Sequence, residues 1–227
     1  MIDFNPCLAF HREGEPAIGP TNFPPPHFDS FGGPVKACWG SSPAVTRHGL
    51  LVYFIDFLKV SKTWEDVVDS CPLTYSSPNA PTKEEILATM LYSILIGQRR
   101  CAQMTALSGD TVIAGLFGVH TFRSQDSVRR AFEQSDEEAI TQWVDQQVDR
   151  TFAPLLEHEW VFDLDAMIKN LYGHQEGARV GYNPTEPGRP SHVYQATVLA
   201  AGKVVLNVDT QTGNQRSSEY AQPTLFG

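Results

Sequence analysis

Apolar residues along this chain keep a helical spacing through its middle and change to alternation after residue 160. Gly49 to Lys59 (GLLVYFIDFLK) is short and densely apolar, which predicts a buried helix. Thr63 stands where it can cap a helix over Trp64 to Asp69, with Asp66 at the capping-box position. After the loop CPLTYSSPNAP, Thr82 caps a stronger helix from Lys83 to about Gln98. Ile86, Leu87, Met90, Leu91, Ile94 and Leu95 form its apolar stripe, and Glu84 and Glu85 suit its positive N-terminal end. Short helices are predicted around Cys101 to Ser108, Asp110 to Leu116 and Ser124 to Phe132. Ser135 to Glu138 then opens a helix running to about Leu156, with Ile140, Trp143, Val144, Val148 and Phe152 as its apolar positions. From Trp160 the period becomes two. Trp160, Phe162, Leu164, Ala166 and Ile168 fall on one strand face, and Val161, Asp163, Asp165 and Met167 on the other. His192 to Leu199 and Val204 to Val208, joined by Ala200-Ala201-Gly202-Lys203, read as a hairpin that gives the first strand two antiparallel companions.

The predicted class is α+β in three segments. Residues 1–45, rich in Pro, Gly and Ser, carry no sustained period and read as an irregular arm that Phe4, Phe10, Phe28 and Trp39 pin to a neighbouring surface. Residues 46–156 form a helical domain, and 157–227 open a sheet. The short helices with glycine turns fit a plain bundle or a helix-turn-helix-like module, and spacing favours the bundle.

Charge and cysteine usage narrow the functions. The formal charge is −9 over 227 residues, the opposite of the basic surface usual for DNA binding. It is unevenly spread, since Lys169 to Lys203 holds four basic residues against Glu176 and Glu186. Cys7, Cys38, Cys71 and Cys101 include no CxxC pair, so a structural zinc is not indicated and reduced thiols in the cytoplasm are the default. No apolar run is long enough to span a membrane, and the first residues lack a signal-peptide pattern.

The chemistry concentrates between Trp160 and His192. Asp163 and Asp165 share one face of a strand expected to be buried, where carboxylates need a metal or a cation as partner. The plainer alternative is a strand end with solvated aspartates. The blocks that follow are Tyr172-Gly173-His174-Gln175-Glu176-Gly177-Ala178, Gly181-Tyr182-Asn183-Pro184 and Pro187-Gly188-Arg189-Pro190-Ser191-His192. With Asp163-Leu164-Asp165 before them, their order and spacing resemble transposases of the IS1380 type, within the IS4-like group of DDE transposases. Weaker similarity takes in Phe122 to Ser127, Arg129 to Phe132 and the helix from Lys83 to Gly97, so that the resemblance spans roughly residues 45–215.

That resemblance implies an RNase H-like core opening with an antiparallel meander, and cleavage and strand transfer at transposon-end DNA. It implies Mg2+ or Mn2+ held by three acids, because two divalent cations both activate water and neutralise charge on the reacting phosphate. Asp165 aligns with the first acid and Asp163 supports it, although Ala166-Met167 replaces the hydroxyl pair common there. His174, Gln175, Glu176, Arg179, Tyr182 and Arg189 are implied to grip the DNA backbone, with Arg129 and Arg130 contributing upstream. The second and third acids have no counterpart. Asp209 is read in a turn and Glu219 in a polar tail, so neither is placed to join Asp165. The expectation is therefore an N-terminal fragment with a truncated core that does not cut DNA alone. It holds transposon ends, forms a homodimer or pairs with intact transposase.

Overall fold

The computed structural model describes residues 8–11, 27–39, 45–74, 77, 79–155, 157, 160–200 and 202–215. Phe4, Cys7 and Glu219 lie outside them. The chain divides into two compact units, residues 1–143 and 144–227, and its class is mixed α+β with antiparallel sheets.

The first unit opens with strands where an irregular arm was expected. They are β1 (Leu8–His11), β2 (His27–Ser30), β3 (Gly33–Trp39) and β4 (Val45–Thr46), arranged antiparallel in the order β2-β3-β1-β4. Two things favour strand here. Phe28 is buried against the helices, its ring edge-on to Tyr53 at 4.8 Å, and Gly33 takes the positive φ of 115° that the β2–β3 turn needs. That turn meets the helices backbone to backbone. Phe31 N–H donates to Leu116 C=O at 3.0 Å. A Cβ on Gly32 would overlap Gly115 C=O, and one on Gly118, itself at φ 70°, would press on the Phe31 backbone.

The helices follow as α1 (Leu51–Ser61), α2 (Thr63–Ser70), α3 (Lys83–Leu95), a 3₁₀ segment (Cys101–Gly109), α4 (Thr111–Leu116), α5 (Gln125–Glu133) and α6 (Glu137–Phe152). Their starts obey local chemistry. Thr82 and Glu85 close a reciprocal capping box on α3, and Asp110 and Ser124 cap α4 and α5. Thr63 does not cap α2. A single residue, Lys62, joins α1 to α2 in the left-handed conformation, and Thr63 is already helical.

Val52, Ile55, Trp64, Ile86, Tyr92, Ile113, Leu116, Phe117 and Phe122 meet in one core. The stripe predicted for α3 is only partly inward: Ile86 and Leu87 are buried, whereas Ile94 is exposed and Tyr92 takes the inner position. The Glu85 carboxylate is buried too. It accepts from Arg123 Nε at 2.9 Å and Nη2 at 2.5 Å and from Thr82 N–H at 3.0 Å, which offsets its loss of hydration. Trp143 of α6 caps this core, its indole N–H donating to Val67 C=O at 3.2 Å.

The second unit takes in the end of α6 and then forms a sheet. β5 (Phe162–Asn170) pairs antiparallel with β7 (Pro190–Leu199), and β7 pairs antiparallel with β8 (Val204–Thr212). The two-residue β6 (Arg179–Val180) also pairs with β7. β8 runs four residues beyond the predicted Val208, so Asp209 lies within a strand and not in a turn. Thr212 pairs with His192, and the length of β7 holds the extension in register.

Candidate functional site

Register fixes what the acids of the sheet can do. Asp163 and Asp165 sit opposite Val198 and Ala196 of β7, which in turn sit opposite Val205 and Val208 of β8. Cross-strand partners share a face, so both aspartates stand beside valines on one surface. The strand is not buried as expected: every residue from Asp163 to Met167 is exposed. The desolvation argument for a metal therefore falls away, because water satisfies both carboxylates. Asp209 pairs with Gln195, which pairs with Ala166, and so it occupies the opposite face from Asp165. No group of three His, Cys, Asp or Glu side chains able to hold a metal occurs among the described residues. Two solvated carboxylates from one strand do not by themselves fit the Mg2+ or Mn2+ centre that the resemblance implies.

The loop from Leu171 to Arg189 is built by its own contacts. Asn183 Nδ2 donates to Asn170 Oδ1 at 2.6 Å, while Asn183 Oδ1 accepts from the N–H groups of Thr185 and Glu186. Tyr172 O–H donates to Glu186 Oε1 at 2.8 Å, which raises its phenol pKa. Arg189 ion-pairs with Glu186 and lies over the Tyr172 ring at 4.5 Å. His192 Nε2 meets Glu176 C=O at 2.8 Å. The glycines serve this folding: Gly177 and Gly188 take positive φ, and a Cβ on Gly181 would overlap Gly213 C=O.

The predicted DNA-contacting residues separate into two groups. Arg189 is held by Glu186, and Arg129 by Glu133 at 2.7 Å and Asp126 at 3.8 Å. Arg130 and Arg179 are exposed and have no ion-pair partner among the described residues. Tyr182 is 81% exposed. His174, Gln175 and Glu176 are all exposed. Arg129 and Arg130 belong to the first unit and the remaining residues to the second.

No family model matches the chain, and no curated protein or solved structure does. Function rests on the chemistry of the two units.

The first unit holds a feature that sequence reading missed. A cleft of about 390 Å³ is lined by Thr46, Arg47, His48, Tyr92, Gln98 and Asp110, with Ile96 and Leu107 on its apolar side. Asp110 organises it. Its Oδ2 accepts from Thr46 O–H at 2.6 Å and Tyr92 O–H at 2.7 Å, and its Oδ1 accepts from Ile113 N–H at 3.0 Å. Burial, then Asp110 as acceptor and neighbouring charge, pushes the Tyr92 phenol far above its ordinary value, so it stays a donor. His48 meets Tyr92 edge-on at 5.6 Å. The sequence places a short helix from Asp110, but not the two distant hydroxyls that share its carboxylate.

Proposed function

We propose that this chain is the DNA-holding and core-opening part of a DDE transposase of the IS1380 type, working at transposon-end DNA. One observation carries the reading beyond the ordered sequence blocks. β5, β7 and β8 form an antiparallel meander of the kind that opens an RNase H-like core, with Asp165 in the middle of its first strand. The intervening loop is braced by its own hydrogen bonds and keeps His174, Gln175, Arg179 and Tyr182 at the surface. The described residues supply only Asp165 and its neighbour Asp163 as acids on that face, so the role open to them is binding ends or pairing with an intact transposase, and not phosphodiester cleavage.

The test uses the purified chain with transposon-end duplexes and Mg2+ or Mn2+. The expected result is no nicking or joining, and weak binding whose logarithmic salt slope is about −2, roughly −0.9 for each phosphate met by Arg130 and Arg179. Arg179→Gln reduces that slope by about one. Nicking abolished by Asp165→Ala overturns the non-catalytic assignment. Absence of DNA binding at low salt overturns the transposase reading.

A further inference from the structure

β5 has β7 on one side and, among the described residues, no strand on the other. Hydrogen bonds define what that free edge offers. Val161 C=O accepts from Ala200 N–H at 2.9 Å, and Leu171 N–H donates to Pro190 C=O at 3.1 Å, so the odd-numbered residues aim their main-chain groups at β7. Alternation turns the N–H and C=O groups of Phe162, Leu164, Ala166, Ile168 and Asn170 outward. An exposed edge of this length is a template for another strand.

We propose that the occupant is β5 of a second copy, paired antiparallel about a two-fold axis through Ala166. The side chains are self-complementary in this register. Asp163 stands opposite Lys169 of the second copy, twice by symmetry, and Leu164 stands opposite Ile168 on the other face. None of Asp163, Asp165 and Lys169 has an ion-pair partner among the described residues, and all three are exposed, so their charges are free to meet. Alternative registers are worse. An axis through Asp165 sets that carboxylate against itself, and one through Leu164 sets Asp163 against Asp165. An axis through Met167 also sets an aspartate, Asp165, opposite Lys169, but it leaves Leu164 facing Asn170 and shortens the overlap. Opposite charges across a ladder stabilise and like charges oppose pairing, so charge excludes the Asp165 and Leu164 axes, and the Leu164–Ile168 pair with the full overlap of β5 favours Ala166 over Met167. The two sheets then become one, continuous through both β5 strands. The proposal is independent of any role in transposition.

Sedimentation of the full chain across a concentration series tests it. The expected result is a reversible dimer. Lys169→Asp raises the dimer dissociation constant at least about tenfold, Asp163→Lys does the same, and the double exchange Asp163→Lys with Lys169→Asp restores it to within about threefold of the parent. Circular dichroism of each variant checks that the sheet persists, and the double exchange keeps the test valid should a single variant misfold. Ala166→Cys adds a readout of register, forming an oxidised cross-linked dimer in higher yield than Asp165→Cys. A chain that remains monomeric at all concentrations overturns the proposal. So does a dimer indifferent to the charge exchange, or β5 amides protected from hydrogen exchange in a monomer.

Discussion

The helical unit and the sheet unit bury their polar chemistry differently. In the helical unit two acids go inside with donors around them, although Glu65 Oε2 is buried with none among the described residues. Glu85 takes Arg123 and Thr82, and Asp110 takes Thr46, Tyr92 and a helix N-terminus. In the sheet unit the most suggestive acids, Asp163 and Asp165, are solvated, while polar side chains such as Ser191 and Thr197 sit in the buried face of β7. The Ser191 and Thr197 hydroxyls have no hydrogen-bond partner among the described residues. A suggestive acid in a sequence is thus not the acid that the fold invests in. The invested ones here hold distant segments together, and buried groups that lose a partner are costly.

Mutations at matched positions test this contrast. Ile86 is fully buried, and Ile86→Ala is expected to cost about 2–5 kcal/mol in urea unfolding. Met167 is 62% exposed on β5, and Met167→Ala is expected to stay within about 0.5 kcal/mol. Equal costs would erase the distinction between the units. Asp110→Ala removes a helix cap and leaves two hydroxyls without their acceptor, for an expected loss of about 2–3 kcal/mol. A neutral outcome would show that water replaces the carboxylate in the cleft.

Within the sheet unit, Gly181→Ala is expected to cost about 1–3 kcal/mol, because the new methyl overlaps Gly213 C=O. Gly173→Ala in the same sequence block meets nothing within 4 Å and should be nearly neutral. Thermal unfolding of the pair separates a glycine that the packing requires from one that it does not. The smallest effect concerns pH. The Tyr92 phenol is raised above its ordinary value of 10.0, so its contribution is complete below pH 10 and declines as the unfolded chain ionises above it. Stability should fall by up to about 1.4 kcal/mol per pH unit beyond that point. Tyr92→Phe should remove this component of the alkaline slope, as read from unfolding midpoints between pH 9 and 11.

The legible features were those set by neighbours in sequence. Thr82 announces α3 because a capping oxygen serves an N–H two or three residues on. The β7–β8 hairpin is announced by alternation either side of a short turn. Pairings between distant segments were not legible. β1 finds β3 and β4 across intervening residues that carry no period, so a Pro- and Gly-rich stretch concealed strands. In the sequence Arg189 is available for phosphate, yet in the fold Glu186 three residues earlier holds it. The exposure of β5 was illegible for another reason: an alternating strand has the same sequence whether or not anything covers it.

The contact of Gly32 with Gly115 and of Gly118 with Phe31 also bears on the order in which the chain assembles. It joins main chain to main chain between segments far apart in sequence, with no side chains to cushion an approximate fit. Docking the β2–β3 turn therefore has to wait until the last turn of α4 has taken its final shape. Closing so long a loop is entropically slow compared with forming α3 or its cap. The seam should be absent from the folding transition state, so that weakening it accelerates unfolding and leaves the folding rate almost unchanged.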